Sequence, residues 1–299
     1  MTSSSSITQT TGLKRSSLDK YYTSDKIVKK CIESFKTLVN YDESDICIEP
    51  SAGNGSFISG IMSLFNICYF YDIKPENSLI KKQDFLEVDN SQFYNNHDDN
   101  ANVYTYDNNT NIDKSNTRQI HLIGNPPFGR QSSLAIKFIK KSCGFADTIS
   151  FILPKSFKKD SMKKHFDKYF HLELEYDLPD NSFIVNGQPH SVPCVFQIWV
   201  KKNTPRQLTK VLKPTGFKFV KKDEDPDISF RRVGVYAGKI SQDIKDKSIK
   251  SHYFIKFDNT LTSELIEKIK KIDFINKADT VGAKSISKQE LIKELIEIL

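Results

Sequence analysis

The feature that most constrains this chain is an alternation of two rhythms. Short apolar runs at residues 46–48, 67–71, 122–123 and 149–153 read as buried strands. Between them, residues 57–64 and 134–139 carry apolar side chains at helical spacing, as does Asp25–Leu38 ahead of the first run, through Ile27, Val28, Cys31, Ile32, Phe35 and Leu38. Strands that alternate with helices argue for an α/β fold built on a parallel, doubly wound sheet.

The flanking segments follow a different pattern. Residues 1–18, rich in Ser and Thr, read as a disordered tail, and residues 90–116, dominated by Asn and Asp without core periodicity, as a disordered surface insertion. A lysine-rich helix is expected around residues 155–169. Two β-rich segments near 172–178 and 194–201 then flank an Asn186-Gly187 turn, which suits a terminal antiparallel pair. These boundaries predict a main domain over residues 19–201 and a small C-terminal α+β region over 202–299. In that region residues 217–220, 233–236 and 253–257 read as strands and 263–272 as a helix, and a last helix opens on Ser287, with Glu290 three positions on as in a capping box.

Composition narrows the class. The 299 residues hold 44 Lys and Arg against 37 Asp and Glu, a net +7, which suits a polyanionic partner without requiring one. The five cysteines are scattered, with no Cys-x-x-Cys pair, so neither a metal site nor a disulfide framework is expected. No apolar stretch reaches membrane-spanning length, and the polar start lacks the apolar segment of a signal peptide. A soluble protein of the cytoplasm or nucleus is the expectation.

The first chemically loaded stretch is Ile46-Cys-Ile-Glu-Pro-Ser-Ala-Gly-Asn-Gly-Ser-Phe57. A strand ends at Glu49 and a loop of small residues, with Gly53 and Gly55, enters a helix. Glycines there let backbone pass close to a ligand. The stretch is neither a G-x-G-x-x-G fingerprint nor a P-loop, which would supply a lysine for terminal phosphates. The next strand ends at Asp72, placed to accept hydrogen bonds from ribose hydroxyls, with Ile73 after it. Farther on, Gln83-Asp84-Phe85 offers a carboxylate for an adenine amino group and a ring to lie against the base.

From residue 21 to residue 201 the chain resembles the S-adenosylmethionine-dependent methyltransferases of the seven-stranded, Rossmann-like type. Glu49-Pro50-Ser51-Ala52-Gly53-Asn54-Gly55-Ser56-Phe57 is similar to that family's first motif. Tyr21-Tyr22-Thr23-Ser24 is similar to the F/Y-Y-T-P element of many adenine methyltransferases, with Ser24 where the family has proline. The resemblance implies S-adenosylmethionine as cofactor. It also implies that Tyr22 and Thr23 contact its methionine end, and that the turn at Ser24 is slightly looser than with proline.

His121-Leu-Ile-Gly-Asn-Pro-Pro-Phe-Gly-Arg130 then acquires a chemical reading. Asn125-Pro126-Pro127-Phe128 resembles the D/N/S-P-P-Y/F/W motif that acts on exocyclic or amide nitrogens. An aromatic amine is a poor nucleophile because its lone pair is delocalised. Hydrogen bonds from its N–H groups to the Asn125 side-chain oxygen and the Pro126 carbonyl favour a pyramidal nitrogen, and the same fixed dipoles stabilise the positive charge that grows there. The prolines stiffen the frame and remove backbone donors, and Phe128 offers a stacking face. The acceptor implied is adenine N6 in nucleic acid, with motif order leaning to DNA over RNA. Two alternatives stay open: a glutamine N5 methyltransferase of release-factor type and a non-catalytic nucleic-acid-binding subunit. For substrate contact the candidates are Lys155 and Lys158 after the 149–153 strand, and Arg231, Arg232 and Lys239 in the C-terminal region.

Overall fold

The computed structural model describes residues 21–94 and 118–299; the tail at 1–18 and the insertion beyond Tyr94 lie outside the described residues. The chain enters through a two-residue strand, β1 (Tyr22–Thr23), and helix α1 (Asp25–Leu38). Then come β2 (Ile46–Glu49), α2 (Ile58–Met62), β3 (Ile67–Asp72) and the short β4 (Lys81–Lys82). β5 (Ile120–Gly124), α3 (Ser133–Cys143), β6 (Thr148–Pro154) and α4 (Asp160–Lys163) continue the alternation. β7 (Phe170–Asp177), β8 (Phe183–Val185), β9 (Gln188–His190) and β10 (Cys194–Lys201) follow.

Seven of these strands form the central sheet in the order β4-β3-β2-β5-β6-β10-β7. Neighbours are parallel except at β10, which runs antiparallel to both β6 and β7. This is the expected doubly wound, Rossmann-like sheet, closed at one end by its antiparallel pair. Strand order reverses between β2 and β5, and open α/β sheets bind ligands at such a switch point, outside the carboxyl ends of the strands.

Packing explains why the strands are apolar throughout. Cys47 of β2 joins the apolar cluster under α1 and α2, with Phe35, Phe57 and Ile61, while Ile46 and Ile48 join the cluster under α3, with Phe138 and Ile139. Both faces of the sheet are covered, so successive strand residues must all be apolar rather than alternate with polar ones. α1 buries Ile27, Val28, Cys31, Ile32 and Phe35 and carries Asp25 in its first turn, where a negative charge complements the helix dipole.

Several sequence expectations need correction. The lysine-rich stretch at 155–169 is not one helix: a 3₁₀ turn (Lys155–Lys158) and α4 are separated by Lys159, whose backbone is extended at φ −78°, ψ 140°. The Asn186-Gly187 turn does not join the sheet-closing pair. With φ of 50° and 74° it closes its own hairpin, β8–β9, which pairs with β1 through Tyr22–Ile184 and Thr23–Phe183. Ser24 tightens the entry instead of loosening it, since its N–H donates to the Ser182 carbonyl at 3.0 Å, a bond proline could not make. The first residues of the expected insertion are ordered as a 3₁₀ turn (Asn90–Phe93), which Phe93 buries against Tyr69 and Phe145.

Beyond Lys201 a second, antiparallel sheet forms from β11 (Phe217–Val220), β12 (Ile228–Arg231), β13 (Ile240–Ser241) and β14 (His252–Phe257), in the order β11-β14-β12-β13. α5 (Ser263–Lys271) and α6 (Lys288–Ile298) supply Ile269, Leu291, Ile292 and Leu295 to a separate apolar cluster with Phe217, Phe230 and Ile255. α6 starts on the full capping box: Ser287 Oγ accepts from the Glu290 N–H and Glu290 Oε2 from the Ser287 N–H, at 3.2 and 2.7 Å. Residues 233–236 are not a strand, because Gly234 and Gly238 at φ +103° and +100° turn the chain out of the ladder after Arg231.

Candidate functional site

The nucleotide side of the crevice is the loop from β2 to α2. Gly53 and Gly55 lie at φ +55° and +88°, and a Cβ on Gly55 would sit 2.7 Å from Ile58 Cδ1, so the loop turns here as only glycine allows. A Cβ on Gly53 would meet the Tyr22 ring at 3.3 Å, which places Tyr22 directly over the loop. Asp72, at the end of β3, fixes the loop from the side: Oδ2 accepts from the Gly53 N–H at 2.8 Å and Oδ1 from the Lys74 N–H at 2.7 Å. Ile73 beside it is 58% exposed, an apolar side chain left at the mouth of the crevice.

Glu49 ends β2 beneath this loop. It is buried, and its Oε2 has no hydrogen-bond partner among the described residues. Burial, reinforced by the charge of Asp72, pushes its carboxyl far above the usual carboxylate range. An orphaned, buried carboxyl oxygen is costly, and a ligand group carrying N–H or O–H donors would satisfy it. Together with the glycine loop, Asp72 and Ile73, this donor-seeking oxygen fits a nucleoside cofactor that bears an ammonium or hydroxyl groups.

On the acceptor side, β5 delivers Asn125 one strand away. The Asn125 amide Nδ2 donates to the Tyr21 carbonyl at 3.1 Å and to Thr23 Oγ1 at 3.3 Å. Both donor hydrogens are thus taken by β1 and the residue before it, and Oδ1 has no partner among the described residues. Ser51 Oγ donates to the Asn125 carbonyl at 3.1 Å, tying the two loops together. The Pro126 carbonyl has no donor among the described residues, so two acceptor oxygens stand on a frame that two prolines stiffen. Phe128 is half-buried, packed on the α1-side cluster with part of its ring open. Immediately after it, Gly129, Gln131 and Ser132 have φ of 67°, 53° and 61°. For the last two this is a left-handed conformation costing about 1–3 kcal/mol each.

Other expected site residues take different places. The Phe85 ring is fully buried among Phe138, Tyr71 and Phe145, so it has no face for a base. Asp84 is exposed and caps the following 3₁₀ turn by accepting from the Leu86 N–H at 2.9 Å. Phe57 is likewise core, holding the loop from below, and Ala52 and Pro50 are buried with it. Lys155 and Lys158 do not face outward as free cations: both bind Asp177 at 2.9 Å. Arg231 donates through Nε to the Val233 carbonyl and Arg232 to the Lys250 carbonyl, each at 2.8 Å, while Lys239 is exposed with its Nζ 4.6 Å from the Tyr236 ring centroid.

Two contributors were not legible as site residues: Ser51, which ties the loops, and the β8–β9 hairpin, which holds β1 under Asn125. Only the Asn-Gly turn signalled the hairpin, and nothing local showed that it would pair with residues 22–23. Among the described residues no cluster of His, Cys, Asp and Glu has the makings of a metal site, and no helix is long and apolar enough to cross a membrane.

No family model matches the chain, and no curated protein matches it. Among solved structures it overlaps the 23S rRNA methyltransferase ErmE at 12% identity and TM-score 0.41, over 62% of this chain and 71% of that one. A putative RNA methyltransferase from Pyrococcus horikoshii overlaps at 15% identity and TM-score 0.42, over 64% and 93%. A putative class I S-adenosylmethionine-dependent methyltransferase from Listeria monocytogenes overlaps at 13% identity and TM-score 0.42, over 63% of each chain. The chain's own strand order and register, rather than these overlaps, define its sheet.

Proposed function

We propose that this chain methylates the exocyclic N6 of adenine in nucleic acid, using S-adenosylmethionine. The observation that carries the reading is the Asn125 amide: its two donor hydrogens are taken by Tyr21 and Thr23, which leaves Oδ1, like the Pro126 carbonyl one residue on, without a donor among the described residues. Two fixed acceptors match the two hydrogens of a primary amine. As such an amine attacks, its N–H groups become more acidic and bond more strongly to both oxygens, so the frame favours the transition state over the ground state.

Glu49, the Gly53–Gly55 loop, Asp72 and Ile73 would hold the cofactor, with Tyr22 over the loop. When bound, it supplies an already activated methyl group, so no metal or strong base is needed and positioning does most of the work. Phe128 would stack on the base that carries the amine. The region after residue 201 serves as the recognition region, and motif order puts DNA ahead of RNA as substrate.

The test is incubation of the full chain with deuterated-methyl S-adenosylmethionine and DNA, RNA or protein, followed by digestion and mass spectrometry. Labelled N6-methyladenine in a nucleic acid is the expected product. Label in glutamine, or cofactor binding with no transfer to any of the three, would overturn the reading.

A further inference from the structure

Charge is divided unevenly between the two parts of the chain. Residues 1–201 hold 23 Lys and Arg and 23 Asp and Glu, while residues 202–299 hold 21 and 14, so the whole net +7 belongs to the C-terminal region. Within that region the cations are also divided. Lys256 pairs with Asp225 and Asp227, Lys268 with Glu264, Lys270 with Glu267 and Lys277 with Asp273. Lys222, Arg231, Arg232, Lys239, Lys247 and Lys250 make no ion pair among the described residues.

The sheet register gathers these six at one edge. Val220 pairs with Phe254, Arg231 with His252, and Phe230 with Ile240, so the ends of β11 and β12 and the starts of β13 and β14 lie side by side. Lys222 Nζ donates to the Lys245 carbonyl at 2.7 Å and Arg232 to the Lys250 carbonyl at 2.8 Å, which folds the β13–β14 loop onto the same edge. The His252 imidazole is pushed below its ordinary value first by burial and then by Arg231, Lys247 and Lys222, a sign that these cations converge. Two acids, Asp243 and Asp246, share the loop but pair with none of the six.

The same edge exposes apolar and aromatic surface: Val235 is 82% exposed, Tyr236 60% and Ile249 68%. Lys239 stands over the Tyr236 ring. Unpaired cations interleaved with an exposed ring are the pattern of a surface that tracks phosphates and stacks bases. A duplex presents no open base faces to such a ring. The edge is also tied to the carboxyl side of the main sheet. Gly234 N–H donates to the Lys284 carbonyl at 2.9 Å, and Lys159, just past β6, donates to the Ser285 carbonyl at 2.8 Å.

We infer that this edge of the C-terminal sheet is the docking surface for an unpaired nucleic-acid strand. The inference rests on the nucleic-acid reading above and adds where the strand is gripped and in what form. It is tested on the full chain by fluorescence anisotropy with labelled 20-mers of single-stranded RNA, single-stranded DNA and duplex DNA, over a range of salt. Both single strands should bind more tightly than the duplex. Replacing Lys239, Lys247 and Lys250 together by Gln should weaken strand binding at least about tenfold and reduce the salt slope by about 2, since each lost phosphate contact removes roughly 0.7. Tyr236→Ala should weaken it about tenfold with the slope unchanged. Cofactor binding by calorimetry and the melting curve should match the parent chain in both variants.

Replacing Lys268, Lys270 and Lys271 on α5 by Gln removes the same charge elsewhere and should leave strand affinity within about twofold, which separates local docking from bulk charge. Tighter duplex binding, an unaffected edge variant, or equal losses in the edge and α5 variants would each overturn the inference. A chain that binds strands through this edge yet methylates none refutes the proposed reaction and leaves the docking surface standing. A chain that methylates adenine with the edge neutralised and its affinity unchanged does the reverse.

Discussion

At the carboxyl edge of the sheet, β5 delivers Asn125-Pro126-Pro127-Phe128 and its parallel neighbour β6 delivers Lys155 and Lys158. Both exits look functional in sequence, one as a motif and one as a cation cluster. The fold treats them oppositely. Asn125 has its donors occupied and its acceptor left over, an arrangement with no structural use for Oδ1. Each lysine spends its charge and one of its three N–H donors on Asp177, and it has no acceptor to leave over, so the fold already uses what would attract a phosphate. A polar residue at a ligand-binding edge is informative only for the bonding capacity that the fold leaves unused.

The largest test of that contrast is Asn125→Ala. Removing one of the two fixed acceptors should lower the methyl-transfer rate by about 10²–10³, in line with loss of one preorganised transition-state contact. Cofactor affinity by calorimetry should be nearly unchanged. A variant that turns over at the parent rate would mean that the free Oδ1 is incidental and that β5 is no more catalytic than β6.

Next in size is Asp72→Ala, which carries the comparison to the nucleotide side. Asp72 has little left over, since both oxygens already accept from Gly53 and Lys74, yet each oxygen retains a lone pair for a ribose hydroxyl. Loss of hydrogen bonds to a charged group, at roughly 1.5–3 kcal/mol, should weaken cofactor binding about 10–100-fold, measured by calorimetry. Unchanged affinity would leave Asp72 as a loop anchor alone.

How much of this was readable in the sequence follows the same line. The sheet was legible because strands buried on both faces write continuous apolar runs at 46–48 and 149–153. The glycine loop and Asn125 were legible because turn geometry and motif chemistry are local. Phe85 was not, since an aromatic next to Asp84 looks the same whether it faces a ligand or the core, and only the packing of Phe138 and Phe145 decides. The pairing of Lys155 and Lys158 was hidden because Asp177 lies about twenty residues away, across α4 and β7. The hairpin under β1 was hidden for the same reason, at a still longer separation.

Glu49 tests the cost of unused capacity. Its folded-state value is raised, so the neutral form is stabilising below the unfolded value of 4.5, and that contribution is lost as pH rises toward the folded value. At neutral pH the unfolded chain ionises Glu49 and the folded chain resists doing so, which lowers stability. Glu49→Gln should therefore raise the melting temperature of the cofactor-free chain by about 2–4 °C at pH 7 and leave it unchanged at pH 4. It should weaken cofactor binding in the same preparation. A variant that melts lower at pH 7 would show that the carboxyl already has a partner and that the cofactor is not what satisfies it.

The smallest effect is expected at β6. Lys155 and Lys158 are partly exposed and share one half-exposed carboxylate, and such pairs contribute about 0.2–1 kcal/mol. Lys155→Gln with Lys158→Gln should lower the melting temperature by no more than about 3 °C. Nucleic-acid affinity should stay within about twofold and its salt slope should not move, because neither ammonium is released to a phosphate while Asp177 holds it. Asp177→Asn sharpens the point from the other side: it removes the shared carboxylate and frees both cations, so the salt slope should steepen by about 1–2. A slope that instead falls in the double lysine variant would mean that nucleic acid displaces Asp177, and β6 would then rank with β5 as a working edge of the site.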